Sequence, residues 1–259
     1  MSLLYSKIRD DISDMAVIAG RCLRHAFRSI DTLITVVAMP IMMLLLFVYV
    51  FGGSINTGNV NYANYVVPGI VLMCILSGTP YTSVRLNMDI KRGVVDRFRS
   101  MPIAKSSILA GHVLTSVAFN MFSSLIVILF AFITGFRPKA DFMGWLLALG
   151  ILLLFTFAMS WLAVVFGLLA DSSEGAGVYA YIILVMLFIS SAFTPTDSMN
   201  KALRVFAEHQ PMTPIIEAVR ALFLNAPVGN NALIAILWSI GILIVSYIAS
   251  MFVYKRKSA

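Results

Sequence analysis

Five long stretches of the chain contain no Asp, Glu, Lys or Arg, and they constrain the fold more than any other feature of the sequence. They are Thr32–Val84, Ser106–Phe136, Phe142–Ala170, Gly175–Thr196 and Ala221–Tyr254. A helix needs about 20 predominantly apolar residues to cross the hydrocarbon core of a bilayer. Each stretch is long enough for one crossing, and the first is long enough for two. The chain is therefore predicted to be an integral membrane protein.

The composition agrees with this prediction. Charged residues make up 12% of the chain and hydrophobic residues 60%, whereas soluble domains carry about 25% charged residues. This composition excludes an ordinary soluble enzyme, a disordered chain and a nucleic-acid-binding domain. The net charge of +7 is then an indication of membrane topology before it is an indication of a partner.

Six membrane-spanning helices are predicted, because a cluster of turn-forming polar residues at 52–59 divides the first stretch and must leave the hydrocarbon. Pro40 and Pro80 lie inside spans and are expected to kink them. The predicted fold is an all-α six-span domain that covers residues 33–254. Its spans are Leu33–Phe51, Tyr65–Val84, Ile108–Thr134, Gly144–Leu169, Val178–Phe193 and Leu233–Tyr254.

Lysine and arginine are unevenly distributed between the predicted loops. With a cytoplasmic N-terminus, the inside segments carry 14 Lys and Arg and the outside segments carry 5. The positive-inside rule therefore predicts that both termini are cytoplasmic, with residues 255–259 as a cytoplasmic tail. The protein is assigned to the cell membrane as a multi-pass protein. No cleaved signal peptide is predicted, because the first span begins only at Leu33 and is long enough to cross the bilayer.

The spans contain no acidic or basic residue, although ion-coupled transporters usually depend on such residues. His112 is the only candidate for an ion relay, and a satisfied interfacial histidine is the plainer interpretation. Zinc-protease, nucleophile-elbow and phosphate-loop motifs are absent from the sequence. No catalytic residue, metal site or bound cofactor is therefore predicted in this chain.

Mild polarity inside the spans has two interpretations. It either serves hydrogen bonding between helices or lines a substrate path beside the second span. Met and aromatic residues would suit an adaptable apolar ligand surface, although they suit lipid contact equally well. The candidate path residues are Met43, Phe47, Ser77 and Tyr81.

Two cytoplasmic segments have amphipathic patterns. Residues 1–32 repeat apolar positions at spacings of three and four, which predicts a helix in the membrane interface. A plain anchor without a partner is the alternative for that helix. In the loop 86–105, apolar Val94, Val95, Phe98 and Met101 lie between charged residues. This stripe predicts a short helix that docks in a groove of a partner protein.

The outside loop 194–231 contains two short apolar helical patterns that are broken at residues 210–214. They predict a re-entrant hairpin that acts as an outer gate, or alternatively a lid that caps the bundle. Glu217 and Arg220 are three residues apart and are expected to pair, so that a double charge reversal would partly restore what a single reversal loses. The gate residues are predicted to be Pro195, Phe206, Pro211, Pro214, Glu217 and Arg220.

Three motifs in this order resemble the ABC-2 family of ATP-binding-cassette exporter permeases, and most closely its daunorubicin-resistance branch. They run from Leu46 to Ile55, from Lys91 to Ile103 and from Phe193 to Arg220. The resemblance extends over essentially the whole chain. Two positions depart from it, since Lys91 stands where family members often carry an acidic residue and Gln210 where they often carry Asn.

The resemblance implies a half-transporter for an amphipathic drug-like or lipid-like substrate, surrounded by membrane lipids. Two permease protomers, identical or closely paralogous, would pack above two separate ABC ATPase subunits that bind ATP and Mg²⁺. A helix over Asp89–Met101 would be the coupling helix that seats in an ATPase groove. Its contact residues would be Asp89, Arg92, Gly93, Val94, Val95, Arg97, Phe98, Met101 and Pro102.

Two other functions compete with this interpretation. A permease for polysaccharide or teichoic-acid export would share the topology but would need a wide, aromatic-lined track. A stand-alone membrane channel or immunity protein would need no docking stripe in the 86–105 loop, so that loop discriminates between the two classes.

Overall fold

The computed structural model describes residues 20, 23, 32, 34–55, 57–58, 60–94 and 105–257. Nearly all of the predicted interfacial helix 1–32 and most of the predicted docking stripe lie outside the described residues. All regular elements in the described ranges are helical. The main helices are α1 (Ile34–Phe51), α2 (Tyr62–Gly78), α3 (Pro80–Lys91), α4 (Lys105–Ile133), α5 (Phe142–Leu169), α6 (Tyr179–Phe188), α7 (Lys201–His209), α8 (Met212–Leu224) and α9 (Asn231–Lys257).

Five helical segments are long and apolar enough to cross a membrane, and they correspond to five of the six predicted spans. They are Ile34–Phe51, Tyr62–Lys91, Ile108–Ile133, Phe142–Leu169 and Asn231–Lys257. The remaining predicted span corresponds to a shorter apolar helical segment, Gly175–Phe188. The protein is thus a multi-pass membrane protein whose described residues form only helical elements, five to six of them apolar helices of the membrane domain.

The predicted end of the fifth span, Phe193, is wrong by several residues. Helix α6 ends at Phe188, and residues 190–193 form turns. The Ser190 hydroxyl donates a hydrogen bond to the Leu187 carbonyl (2.5 Å) and accepts one from the Ala192 N–H (3.2 Å). These bonds give the backbone an alternative to the helical ladder. A helix followed by a turn without charged residues is part of the same charge-free run, so hydropathy could not separate the turn from the helix.

Pro80 is the first residue of α3, and one residue, Thr79, separates it from the end of α2 at Gly78. Proline has no N–H, so the Leu76 carbonyl loses its usual partner four residues later. The Thr79 hydroxyl donates to that carbonyl at 3.3 Å, and Thr79 itself keeps helical dihedrals. The chain therefore continues from α2 into α3 almost without interruption. Together they span 30 residues, about 45 Å at 1.5 Å per residue, which matches a bilayer with its headgroups.

Helix α2 is the centre of the bundle, because nearly all of its residues are buried. An apolar helix face in a membrane protein can contact lipid instead of protein, so the burial of α2 on all sides shows that other helices surround it. It packs against α1, α4, α6 and α8, while α1 and α9, in which few residues are buried, lie at the periphery.

Contacts between loops divide the bundle into two ends. At one end, the Asn64 side chain bonds to the backbone of Arg137 and the Lys139 N–H donates to the Phe223 carbonyl. At the other end, Tyr254 packs in one cluster with Leu86 and Ile108. Predicted outside and inside segments thus gather at opposite ends, which are called the outer end and the inner end below.

Close packing of α2 requires a glycine at position 69. A Cβ there would lie 2.7 Å from the Ala192 carbonyl oxygen and 2.8 Å from the Ala192 Cα. Because both atoms are backbone, Gly69→Ala is expected to reduce stability by about 1–3 kcal/mol, as overpacking usually does. Thermal unfolding of the detergent-purified protein measures this. Gly150→Ala is the matched control, since a Cβ there meets nothing within 4 Å, and an effect as large as that of Gly69→Ala would contradict the packing argument.

Candidate functional site

Arg220 is the centre of a polar cluster at the outer end. It is only 5% exposed, and a buried guanidinium is tolerated only when its donors are satisfied. Its Nε donates to the Tyr65 carbonyl at 3.0 Å and its Nη2 to the Ser191 carbonyl at 2.6 Å. Its Nη1 pairs with Glu217, which confirms the predicted pairing of these two residues. The guanidinium also lies 3.7 Å from the centre of the Tyr65 ring, a cation–π contact.

Two tyrosines on the first turn of α2 bind the same turn of the chain. The Tyr65 hydroxyl donates to the Ser191 carbonyl at 3.1 Å, and the Tyr62 hydroxyl donates to the Phe193 carbonyl at 2.8 Å. Residues three apart lie on one face of a helix, so both hydroxyls reach the turn. The Asn61 side chain caps this helix by accepting from the Ala63 N–H. Tyr62, Tyr65, Ser191, Glu217 and Arg220 are called the outer cluster below.

Gln210 links α7 and α8 to the end of α6. Its Nε2 donates to the carbonyls of Met186 (2.8 Å) and Ile189 (3.0 Å). The last carbonyls of a helix have no partner within the helix, so this amide satisfies groups that would otherwise be unpaired. Gln210 is 4% exposed. The residue that departs from the family pattern therefore has a definite structural role in this chain.

An aromatic stack joins α1 to the outer cluster. The Phe47 and Phe193 rings lie 4.4 Å apart, and the Phe188 ring lies 5.0 Å from Phe193. Phe47 was predicted to line a substrate path, and the structure places it against the turn that the outer cluster binds. Met43, one helical turn earlier, is partly buried against the same core.

The predicted gate residues do not all lie together. Pro211 caps the start of α8 and Pro214 is buried in its first turn, on the helix that carries Glu217 and Arg220. Pro195 precedes a short 3₁₀ turn, Thr196–Ser198. Phe206 lies on the exposed face of α7, with 46% of its surface accessible.

Helix α7 is joined to the 3₁₀ turn by exposed charges. Arg204 contacts Asp197 at 2.7 Å and Glu208 at 2.8 Å. The hydrogen bond from Arg204 lowers the pKa of the Glu208 carboxyl. Exposed ion pairs contribute little to stability, so α7 is bound more weakly than the buried α8.

A second cluster lies at the inner end, between α3 and the end of α5. The Ser83 hydroxyl donates to the Ala176 carbonyl at 2.6 Å. The Asn87 amide donates to the carbonyls of Ala170 (2.7 Å) and Gly167 (3.2 Å), which have no partner inside α5. Close approach requires Gly167, because a Cβ there would lie 2.7 Å from the Ser83 carbonyl oxygen. Ser83, Asn87, Gly167, Ala170 and Ala176 are called the inner cluster below.

Removing the Asn87 amide is expected to loosen this contact. Asn87→Leu keeps the approximate size but leaves two carbonyls unpaired, which should reduce stability by about 1–3 kcal/mol. Ser173→Ala is the control, because the Ser173 hydroxyl is 3.5 Å from Asn87 Oδ1 and its bond is weak. Thermal unfolding of both variants checks this prediction, and equal midpoints would show that the Asn87 bonds contribute nothing.

The start of the predicted coupling helix, Asp89–Met101, needs correction. Asp89 belongs to the last turn of α3, which ends at Lys91, and Arg92 caps it. Gly93 has a φ of +68°, the left-handed conformation that ends many helices. Val94 is the last described residue of this segment. The remaining predicted contact residues lie outside the described residues, so their contacts stay a prediction. They are Val95, Arg97, Phe98, Met101 and Pro102.

His112 and Tyr81 lie near the inner cluster, and the role of Tyr81 in a substrate path stays a prediction. His112 Nε2 is 3.5 Å from Asp89 Oδ2. Both His112 and Tyr81 line a cavity of about 20 Å³ together with Arg85, which is enough for about one water molecule. Ser77 lies on α2, four residues before Tyr81 of α3, and is partly buried.

Hydrogen bonding between helices was the plainer interpretation of polarity in the spans. One such bond joins the Ser160 hydroxyl of α5 to the Ser116 hydroxyl of α4 at 2.9 Å.

Several residues of both clusters were missed by sequence reasoning. Tyr62 and Tyr65 carried a usable signal, since tyrosines three apart at the end of a span are typical of a membrane interface. Ser83 and Asn87 carried no such signal. Their partners are the backbone carbonyls of Ala176 and Ala170, which lie more than 80 positions away in the sequence.

The comparisons with known proteins agree with this architecture. The sequence profile of the family described as ABC-2 type transporter matches residues 14–224. The daunorubicin resistance ABC transporter permease protein of Streptomyces coeruleorubidus is 29% identical over 228 residues, covering 88% of this chain and 81% of that protein. A protein of Mycobacterium tuberculosis named a probable doxorubicin resistance ABC transporter permease protein is 20% identical over 240 residues, covering 92% and 87%. The matched region includes the outer cluster, the inner cluster and the helices between them. This chain belongs to the ABC-2 type transporter family.

Proposed function

We propose that this chain is the membrane-embedded subunit of an ATP-driven exporter that moves an amphipathic drug-like or lipid-like substrate out of the cytoplasm. Membership of the family makes the chain a transport subunit. ATP and Mg²⁺ would bind a separate ABC ATPase, because the sequence has no phosphate-binding loop motif.

The observation that carries this proposal is the α2–α3 helix pair. Its first turn bears Tyr62 and Tyr65 of the outer cluster, and its last turns bear Ser83 and Asn87 of the inner cluster. The chain that follows α3 is the segment predicted to dock on the ATPase. One nearly continuous element therefore connects the predicted ATPase contact with the outer end of the protein.

In the proposed cycle, closure of two ATPase subunits on ATP displaces the segment after Val94. The displacement passes through α3 and α2 as rigid elements, since packed helices shift between discrete arrangements. At the outer end it changes the bonds of Arg220 to the carbonyls of Tyr65 and Ser191. The turn at 189–193 then moves relative to Phe47, and the outer side opens.

The proposed assembly contains two permease protomers, identical or closely paralogous, and two ATPase subunits. Both termini would face the cytoplasm. The uneven distribution of Lys and Arg supports this orientation, because 14 of them lie in the segments that the positive-inside rule predicts to be cytoplasmic.

The substrate class is proposed from the relatives and from the outer aromatic stack. The names of both relatives refer to resistance to daunorubicin or doxorubicin. Phe188 lies at the end of the stack with Phe193 and Phe47 and is 42% exposed, so its ring offers an apolar surface on which an aromatic substrate would pack. An apolar surface of this kind favours amphipathic molecules over a hydrated glycan.

Transport by inverted membrane vesicles tests this proposal. The full chain is co-produced with its cognate ABC ATPase, and vesicles are loaded with doxorubicin from outside while its fluorescence is followed. ATP is expected to drive accumulation at least several-fold above the level without nucleotide. An ATPase subunit without its phosphate-loop lysine is the control and should abolish the increase.

Two outcomes would contradict the proposal. Accumulation that is independent of ATP would indicate a channel. Stimulation of the ATPase by a polyprenyl-linked glycan but not by drugs or lipids would assign the chain to polysaccharide export instead.

A further inference from the structure

An apolar groove of about 290 Å³ runs along the side of the bundle between α4 and α5. Leu125 of α4 and Leu149 of α5 line it, and both are about half exposed, at 52% and 47%. The groove is therefore open toward the surroundings of the bundle, which in a multi-pass membrane protein are lipid. Phe223 of α8 and Trp145 of α5 also line it, and their rings lie 4.7 Å apart.

The length of the groove corresponds to one leaflet of a bilayer. Its lining on α5 extends from Phe142, at the outer end, to Leu152. Ten residues of helix rise about 15 Å, which is half of the roughly 30 Å hydrocarbon core. One acyl chain of a lipid in the outer-end leaflet would match this length.

Two basic residues lie at the outer mouth of the groove. The loop 135–141 carries exposed Arg137 and Lys139, and the Lys139 N–H donates to the carbonyl of Phe223, which lines the groove. The same loop carries one carboxylate, Asp141, which accepts from the Gly144 N–H at 2.7 Å and caps α5. Arg137 donates through Nη1 to the carbonyls of Phe132 and Phe136.

The charge at this mouth favours an anionic headgroup. Within the described ranges, the ion pairs found involve neither Arg137 nor Lys139. Guanidinium and ammonium groups bind phosphate oxygens well, and each basic residue near an anionic lipid surface strengthens binding appreciably. A cationic amphiphile would meet two like charges here.

We propose that the groove between α4 and α5 holds an acyl chain of an anionic phospholipid, and that the phosphate of this lipid contacts Arg137 and Lys139. The lipid would bridge α4 and α5 at the outer end. This site is separate from the outer and inner clusters, and the inference depends on the membrane location of the chain but not on its proposed transport activity.

Trp145 provides a direct readout, because it lies in the groove. The chain has three tryptophans, so Trp161→Phe with Trp238→Phe leaves Trp145 as the only one. This variant is reconstituted in phosphatidylcholine vesicles that contain a small fraction of phosphatidylglycerol with brominated acyl chains, which quench tryptophan fluorescence on contact. Quenching is expected to saturate at a fraction of brominated phosphatidylglycerol about fivefold lower than that of brominated phosphatidylcholine. This is the factor expected from one net positive charge near the lipid, because Asp141 offsets one of the two basic residues.

Two variants and one control test the contacts. Arg137→Gln with Lys139→Gln is expected to abolish the fivefold preference, whereas Lys201→Gln, which removes an exposed cation from α7, should leave it unchanged. Leu149→Phe narrows the groove and should weaken quenching by both brominated lipids. Native mass spectrometry gives a second measurement should the tryptophan variant fail to fold. The wild-type chain is expected to retain bound phosphatidylglycerol, and the variant with Arg137→Gln and Lys139→Gln is expected to lose it.

Three results would overturn the proposal. The first is equal quenching by the two brominated lipids, which indicates ordinary surrounding lipid only. The second is a preference that survives loss of both basic residues. The third is relief of quenching by tetraphenylphosphonium, which would assign the groove to a cationic amphiphile.

Discussion

Replacing Arg220 with glutamate is expected to abolish export and to lower the free energy of unfolding by about 3–5 kcal/mol, the usual cost of removing one partner of a buried ion pair. The guanidinium satisfies two carbonyl oxygens, Glu217 and the face of Tyr65 at once. Glutamate has no donor for either carbonyl when ionised, and it would place a second carboxylate beside Glu217. Thermal unfolding in detergent and drug accumulation in vesicles measure the two effects.

Arg204→Glu is the matched control for this substitution. Arg204 also contacts two carboxylates, but its side chain is 43% exposed. Because exposed ion pairs contribute at most about 1 kcal/mol, this variant should fold and export nearly as the wild type does. Similar losses in the two variants would show that burial and the carbonyl contacts of Arg220 do not matter.

The structure changes the expected result of a double charge reversal. From sequence alone, Glu217→Arg with Arg220→Glu should partly restore function, since the pair is simply exchanged. In the structure, the Nε and Nη2 of Arg220 bind the backbone carbonyls of Tyr65 and Ser191, which do not exchange. The double variant should therefore remain as impaired as Arg220→Glu. Glu217→Gln should be mild, because the Glu217 side chain is 33% exposed.

Long apolar runs were sufficient to predict most of the fold. The helices that match the first, third, fourth and sixth predicted spans are each delimited by charged or turn-forming residues, so hydropathy locates them within a few residues. The fifth span was predicted to be too long because Ser190, Ser191 and Ala192 continue a charge-free run. Their backbone, however, forms turns instead of a helix. That turn depends on donors from Tyr62, Tyr65 and Arg220, and no local pattern reports such distant partners.

The candidate site shows the same division between local and distant contacts. The Glu217–Arg220 pair was predictable, because residues three apart share a helix face. The other partners of Arg220 lie 155 and 29 positions away and are backbone carbonyls. Carbonyls belong to every residue type, so no side-chain pattern could have identified Tyr65 and Ser191. The sequence resemblance indicated the region from Phe193 to Arg220. Only the packing of the helices defines which carbonyls Arg220 contacts.

Phe98→Asp is expected to abolish binding of the ATPase subunit while leaving the membrane domain folded. Phe98 is the largest residue of the stripe Val94, Val95, Phe98 and Met101. Loss of a central aromatic anchor usually costs about 2 kcal/mol or more, a reduction in affinity of roughly thirtyfold, and burying the new carboxylate adds to that loss. Co-purification of the ATPase with the full chain measures the affinity, and thermal unfolding of the permease alone should be unchanged.

Two control variants separate the stripe from a general effect of charge. Phe98→Leu keeps the apolar anchor and should retain most of the binding. Ser100→Asp adds the same charge on the opposite face of a helix, about 200° away at 100° per residue, and should bind as the wild type does. If Phe98→Asp still binds the ATPase and exports normally, the segment is not the coupling contact. The α2–α3 helix pair would then transmit nothing from the cytoplasm, and a stand-alone membrane protein would become the better interpretation.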